Sequence, residues 1–316
     1  MGQRFLPEPT YVWNWSSLTG SVQALLRFYE LPDDGPQISA TLGEAFRVRA
    51  VAAMSAPPAF QARAYPPRSL RGLTADLRVL GLSATVLERN PPGPWQRGPW
   101  QRRPWLLTRR IKRRLNRGQP VIAFGAGVDE FGLLAGYDDA RRAFWREGPL
   151  TQEIGRWLPY TALLPGGPNW LAVVLAEKAP PHPQRVAVHA RTQALTLAAS
   201  AEGTVALERW ASILAGEREV DMQGHAYWVQ ALAAARGEAA QFWRREAALQ
   251  PALARAAQAV AQEALTLSRL SSMFPFPAGG DVNPGGLRNA AASILRAAAA
   301  QEGDAMDALA AASLPE

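Results

Sequence analysis

The chain has 316 residues and no cysteine, and 48% of its residues are hydrophobic against 19% charged. That composition predicts a globular protein of about two domains and excludes disulfides, thiolate metal sites and a cysteine nucleophile. The net charge is +7, and no stretch approaches the ~20 apolar residues of a membrane span. We therefore expect a cytoplasmic protein with no signal peptide, lipid anchor or membrane partner.

The first part of the chain contains amphipathic helices followed by short apolar runs. Apolar spacing of three and four residues predicts helices, and runs bounded by Gly, Pro or Asp predict strands. In chain order, we predict helices over 16–29, 41–53, 69–80 and 105–116, and strands over 82–88, 121–124, 130–137, 141–146, 157–164 and 170–176. Helices come first and antiparallel-looking strands later, so this part is predicted to be α+β.

Beyond a proline-rich linker at 178–183 the chain is rich in alanine, the best helix former. We predict helices over 184–199, 204–214, 226–249, 252–273 and 286–312. The charge changes at the same place, with 23 cations and 14 anions up to Lys178 and 11 cations and 13 anions after it. Two domains are therefore predicted: an α+β domain over 1–178 and an all-α, alanine-rich domain over 179–316.

Basic residues concentrate between positions 97 and 117, where tryptophans are interleaved with them. The basic stretch is represented by Arg102, Arg103, Arg109, Arg110, Arg113 and Arg114. Cations among aromatic side chains are typical of a nucleic-acid-binding surface. The alternative is the solvated face of a helix whose inner side carries Trp105, Leu107, Ile111 and Leu115.

Five segments of the first part, taken in order, resemble a known superfamily. They are the helix over 17–29, the segments Gly43–Arg47, Arg117–Ile122 and Glu130–Asp139, and the pair Gly148-Pro149. Their order and spacing over about residues 10–176 resemble the papain-like cysteine peptidases. More narrowly, they resemble the bacterial bacteriocin-processing peptidases and the N-terminal domain of the butirosin-biosynthesis protein H. The resemblance implies a papain-like domain with an antiparallel sheet.

The resemblance implies a catalytic triad, but its positions carry other residues here. The nucleophile position is Ser17, the position of the basic imidazole is Glu130, and the orienting position falls at Gly148, beside Glu147. A serine hydroxyl needs a competent base, and a carboxylate of ordinary pKa is a poor one at neutral pH. We therefore predict that the catalytic residues are lost and that Ser17 serves as the N-cap of its helix, for which Ser16 is the other candidate.

A papain-like cleft without its triad remains a groove. We expect it to carry Trp13, Trp15, Ser17, Glu130 and Trp145, a set that suits an apolar or cationic ligand. The alternative for Trp13 and Trp15 is ordinary packing.

Other candidates are weaker. Three histidines, His182, His189 and His225, have no metal-ligand spacing, so no metal site is predicted, and His225 is expected to have a capping or core role. Asp138 and Asp139 are explained by turn chemistry. No phosphate-binding glycine motif is present, and we predict no cofactor.

The sequence thus favours a non-catalytic papain-like protein that binds a peptide or small molecule, or that acts as a structural subunit with a protein partner, with homo-oligomerisation left open. One alternative is an acyl- or amide-transferring or hydrolytic enzyme that uses Ser17 and Glu130. A second alternative is nucleic-acid binding through residues 97–117.

Overall fold

A computed structural model describes most of the chain. It covers residues 2–7, 9–48, 70–89, 104–125, 130–149, 151–163, 171–200, 203–216, 220–277, 279–280 and 284–313. Contacts divide these residues into two compact units. The sheet unit holds the described residues up to Asp34 and from Leu70 to Pro183, and the helical unit holds Gly35–Val48 and those from Gln184 onward.

The sheet unit is built on one antiparallel sheet, which has seven strands among the described residues. They are β1 (Gln3–Phe5), β2 (Leu82–Arg89), β3 (Val121–Phe124), β4 (Phe131–Asp138), β5 (Ala143–Glu147), β6 (Trp157–Pro159) and β7 (Leu171–Lys178). The spatial order is β2-β7-β3-β4-β5-β6, and β1 also pairs with β4. Every pairing is antiparallel, so the predicted α+β class is confirmed.

Three of the four described helices of the sheet unit bury an apolar side, and the fourth buries no residue. The three are α1 (Ser17–Phe28), α3 (Leu73–Val79) and α4 (Pro104–Asn116), and the fourth is the short α5 (Thr151–Ile154). On α4, Leu107, Ile111 and Leu115 lie at helical spacing and join a core with Val121 and Phe144 of the sheet. The position of α4 against the strands is therefore set by this apolar side.

The structure of this half differs from the prediction in four respects. Trp105 is predicted on the buried side of α4 but is 54% exposed in the structure. It lies two residues from Leu107, which is about 200° around the helix. The run predicted as a strand over 157–164 turns after Pro159 into a 3₁₀ helix, Tyr160–Leu163. The strand predicted from residue 141 begins at Ala143. Strand β1 is short and polar, and was not predicted.

The helical unit contains α2 (Gly35–Thr41), α6 (Val186–Ala198), α7 (Thr204–Ala215), α8 (Met222–Leu249), α9 (Ala254–Met273) and α10 (Gly285–Ala311). The last five lie within a few residues of the helices predicted there, which confirms a helical C-terminal region. The helix predicted over 41–53 is wrong in its described part. Helix α2 ends at Thr41, and Gly43 then takes a left-handed φ of 74° that an α-helix does not allow.

One buried ionic cluster joins three helices of this unit. Arg236 of α8 donates from Nε to Glu263 Oε1 at 2.8 Å and to Glu302 Oε2 at 3.0 Å, and all three residues are at most 1% exposed. Arg236 Nη1 also donates to the backbone oxygen of Ala45 at 2.8 Å. Burial and Glu302 raise the pKa of Glu263 further than Arg236 lowers it, so it lies well above its ordinary value.

The contacts divide the chain differently from the single boundary predicted after residue 178. Residues 35–48 leave the first half of the chain and pack with the helices, where Phe46 lies 6.0 Å from Trp243, ring centre to ring centre. Among the described residues, no helix combines the length and the apolar character needed to cross a membrane.

Candidate functional site

Ser17 is the first residue of α1 and is 3% exposed. The N-cap is Ser16 and not Ser17 as predicted, since the Ser16 hydroxyl accepts from the Thr19 N–H at 3.4 Å. Ser17 Oγ accepts a hydrogen bond of 3.0 Å from the N–H of Phe131, the first residue of β4. This buried hydroxyl therefore links α1 to the sheet.

Glu130 and Glu147 lie at the same end of the sheet as Ser17. Glu130 directly precedes β4, Glu147 ends β5, and these antiparallel strands pair with Leu133 opposite Glu147. Arg156 Nη1 lies 3.1 Å from Glu147 Oε1, and Glu147 is mostly buried. The three positions that the resemblance assigns to a triad are thus brought together at one end of the sheet.

The space at these residues is very small. A pocket of about 30 Å³, here called the small pocket, is lined by Glu130, Glu147 and the neighbouring parts of β4 and β5. That volume holds about one or two water molecules. Among the described residues, this pocket is too small to enclose a peptide or an acyl group.

The three candidate tryptophans do not line the small pocket. Trp13 is 63% exposed and meets Trp15 edge to face, with 5.2 Å between ring centres. Trp145 packs edge to face against Trp157 at 5.0 Å and Phe5 at 6.0 Å. These aromatic side chains form two separate packing clusters rather than the walls of one groove around Glu130.

The basic stretch is divided by its partners. Arg102 and Arg103 lie outside the described residues. Arg114 donates to Gln119 Oε1 at 2.8 Å and Glu177 Oε2 at 2.9 Å. Arg109, Arg110 and Arg113 are exposed on α4. Among the described arginines of the stretch, Arg114 is therefore held by other side chains, whereas Arg109, Arg110 and Arg113 face solvent.

Arg109 and Arg113 line a much larger cavity of about 490 Å³, here called the basic cavity. Its walls come from α4 and from the chain around β5 and β6, and include Trp105, Lys112, Arg142, Tyr160 and Thr161. Arg110, on the same helix, does not line it. The cavity belongs entirely to the sheet unit.

Asp139 holds one side of this cavity in place. Its carboxylate accepts from Lys112 Nζ at 2.6 Å, Tyr160 Oη at 2.9 Å and Gly2 N at 3.0 Å. Partial burial acts to raise the pKa of Asp139, but these hydrogen bonds outweigh it and hold the pKa below its ordinary value. Burial and the same carboxylate raise the pKa of Tyr160. Asp138 has the predicted turn role, since its Oδ1 accepts from Ala140 N at 2.8 Å.

Arg142 and Tyr160 were missed in the sequence. Both positions fell in predicted strands, and their approach to α4 is a tertiary contact without a local signal. Arg142 instead lies in a turn with φ of 52°, a left-handed conformation that Asn or Gly adopts more readily.

His225 is packed in the protein core. His225 is fully buried, with its ring edge to face against Trp210 at 5.7 Å and Phe274 at 4.7 Å. The predicted core role of His225 is therefore confirmed. Within the described ranges, no three His, Asp or Glu side chains are grouped so as to hold a metal ion.

No family model matches this chain, and a search of curated proteins finds no match.

Proposed function

We propose that the sheet unit is a papain-like body without catalytic residues and that the protein binds a ligand without converting it. The proposal rests on the burial and the hydrogen bonding of the Ser17 hydroxyl. Its oxygen is buried and accepts the Phe131 N–H, and the adjacent small pocket has room for about one or two water molecules.

The arrangement of three elements supports the papain-like part. The N-terminus of α1 contacts the start of β4, and the end of β5 pairs beside it. A papain-like site likewise requires the nucleophile at a helix start and the base and its orienting partner on neighbouring strands. The order of the motifs is a property of the sequence, whereas the proximity of α1, β4 and β5 is a property of the fold. The two observations therefore support the papain-like part separately.

The chemistry of the same positions supports the non-catalytic part. A serine nucleophile needs a base that takes its proton, held by a third group. Here the base position carries a carboxylate, the third position falls at Gly148, and the neighbouring Glu147 is held by Arg156. The acyl- or amide-transferring alternative therefore lacks an imidazole at the base position, and the small pocket does not enclose a substrate.

A covalent probe for active serines tests the loss of catalysis. We expect a fluorophosphonate to leave the purified protein unlabelled and generic ester and peptide substrates to remain intact. Labelling that disappears in both Ser17→Ala and Glu130→Gln, with both variants folded, would overturn the proposal and establish the enzyme alternative.

The absence of cysteine allows a clean test of the papain-like arrangement. In Ser17→Cys the introduced thiol is the only one, so the ultraviolet difference absorbance of its thiolate reports that position alone and needs no reagent to enter the buried site. Adding Glu130→His should lower the pKa of this thiol, because an adjacent imidazole stabilises the thiolate. The control pairs Ser17→Cys with Glu130→Gln. Equal thiol pKa values in the two double variants would contradict the papain-like part.

A further inference from the structure

We infer that the basic cavity binds a nucleotide-like ligand, namely a phosphate group attached to a planar ring system. The inference rests on the proposed function only in that it names the ligand which the protein binds. It does not depend on whether Ser17 is catalytic, because Ser17 lies at another site. Four residues carry it: Trp105, Arg109, Arg113 and Arg142.

Charge is the first argument. Arg109 and Arg113 are one helical turn apart on α4, and Arg142 approaches from the turn before β5. Within the described part of the chain, no carboxylate and no hydrogen-bond acceptor engages any of these three guanidinium groups. Lys112, by contrast, is paired with Asp139 at 2.6 Å. The cavity therefore presents three uncompensated positive charges that suit a phosphate.

Backbone conformation is the second argument. Arg142 adopts a φ of 52°, where a side chain is disfavoured and Asn or Gly fits better. The turn itself does not require arginine, because Asp138 and Asp139 hold it with their own hydrogen bonds. An arginine in such a position is explained when its guanidinium group is needed in the cavity.

Aromatic surface is the third argument. Trp105 is 54% exposed beside the cavity, although a large indole usually packs inside. Its ring offers a stacking face to a planar group next to the cations. The volume of about 490 Å³ lies in the range of small-molecule sites.

Interruption of the basic stretch favours a free nucleotide over a polynucleotide. A strand that follows α4 would need successive cations for its phosphates. On this helix, Lys112 is bound to Asp139 and Arg114 to Glu177, so two of the five cations between Arg109 and Arg114 are already paired with carboxylates. The three free arginines of the cavity instead converge on one space.

Calorimetric titration of the full chain with adenosine monophosphate tests the inference. We expect saturable 1:1 binding, weaker binding of ribose 5-phosphate, and none of adenosine at the same concentration. Arg109→Ala and Arg142→Asn should each weaken binding roughly tenfold, and Trp105→Leu at least about fivefold. Arg142→Asn suits the left-handed turn, so its melting temperature should not fall.

Arg110→Ala is the matched control, since it removes an exposed cation from the same helix outside the basic cavity. It should leave the affinity for adenosine monophosphate unchanged. No binding at millimolar concentration, or equal losses in Arg110→Ala and Arg109→Ala, would overturn the inference. A single-stranded oligonucleotide that binds far more tightly, with Arg110 contributing, would overturn it in favour of a polynucleotide. Labelling of Ser17 by the fluorophosphonate would overturn the non-catalytic proposal and leave this binding result standing.

Discussion

Ser17 and Ser21 lie one turn apart on α1, both buried, but only one has a partner. Ser17 Oγ accepts the Phe131 N–H, whereas Ser21 Oγ has no hydrogen-bond partner in the described part of the chain. Ser17→Ala should therefore leave a buried N–H unpaired and lower the free energy of unfolding by about 1–3 kcal/mol. Ser21→Ala removes an unpaired hydroxyl and should be neutral or stabilising.

Urea denaturation of the two alanine variants measures this difference. The pair is informative because the residue type, helix and burial are the same. Equal losses in the two variants would contradict a structural role for the Ser17 hydrogen bond.

The burial of His225 is expected to make the protein less stable in acid. Burial lowers its pKa to about 4 from an ordinary value near 6.5, so the folded protein favours the neutral ring. The stabilisation is complete above pH 6.5 and is lost as the pH falls from 6.5 to 4, because the unfolded chain takes up the proton first. The total loss is about 3 kcal/mol.

Denaturant titrations at several pH values, on wild type and His225→Gln, measure the contribution of the ring. The contribution of His225 is the difference in unfolding free energy between the two proteins. The raised pKa of Glu263 stabilises both proteins as the pH falls, so its effect cancels in this difference. Parallel stability curves from pH 7 to pH 4 would show that His225 does not titrate in this way.

Helix α1 depends on a glycine for its close approach to the preceding segment. A Cβ placed on Gly20 would lie 2.2 Å from the backbone oxygen of Val12. Gly237, inside α8, has open space around its Cβ position. Gly20→Ala should therefore destabilise the protein by roughly 3 kcal/mol or more, while Gly237→Ala should stabilise it by about 0.5–1 kcal/mol.

Melting temperatures of these two alanine variants provide the measurement. The substitution is identical and both sites are helical, so the sign of the change depends on the surroundings alone. A Gly20→Ala protein that melts with the wild type would refute the tight contact with Val12.

Most helices of this molecule could be predicted from the sequence because their spacing is a local property. The apolar positions Leu107, Ile111 and Leu115 indicate α4 without reference to any neighbour. Helix α2 was displaced in the prediction, because Pro36 favours a first helical turn there and the left-handed Gly43 prevents the helix from continuing. Local patterns thus predict that a helix is present more accurately than they predict where it begins and ends.

The candidate site was only partly predictable, because its parts come from different strands. The motif order brought Ser17 and Glu130 under consideration, and the structure brings them to one end of the sheet. The basic cavity depends on Arg142 meeting α4, which only the folded chain determines. Residues whose role comes from a distant neighbour leave no periodic signal.

At the scale of the whole molecule, the segment 35–48 belongs to the helical unit although it lies early in the chain. A fragment over 179–316 lacks the Ala45 oxygen for Arg236 and the Phe46 ring for Trp243. We expect it to melt at a lower temperature and less cooperatively than the same helices in the full chain. Loss of the buried Phe46 contacts alone is worth about 3 kcal/mol.

Circular dichroism of this fragment with added peptide provides the test. A peptide over 35–48 should raise the melting temperature, and one with Phe46→Ala should not. A fragment that melts cooperatively without any peptide, at the temperature of the full chain, would show that the segment contributes nothing.

This early segment also has a consequence during synthesis. Arg236 leaves the ribosome 191 residues after Ala45, which at about 5–20 residues per second is roughly 10–40 s. Through that interval Ile38 and Phe46, fully enclosed in the finished protein, lack the part of their enclosure that α8 supplies. Translation that pauses before α8 therefore prolongs the time in which this apolar surface is incompletely covered.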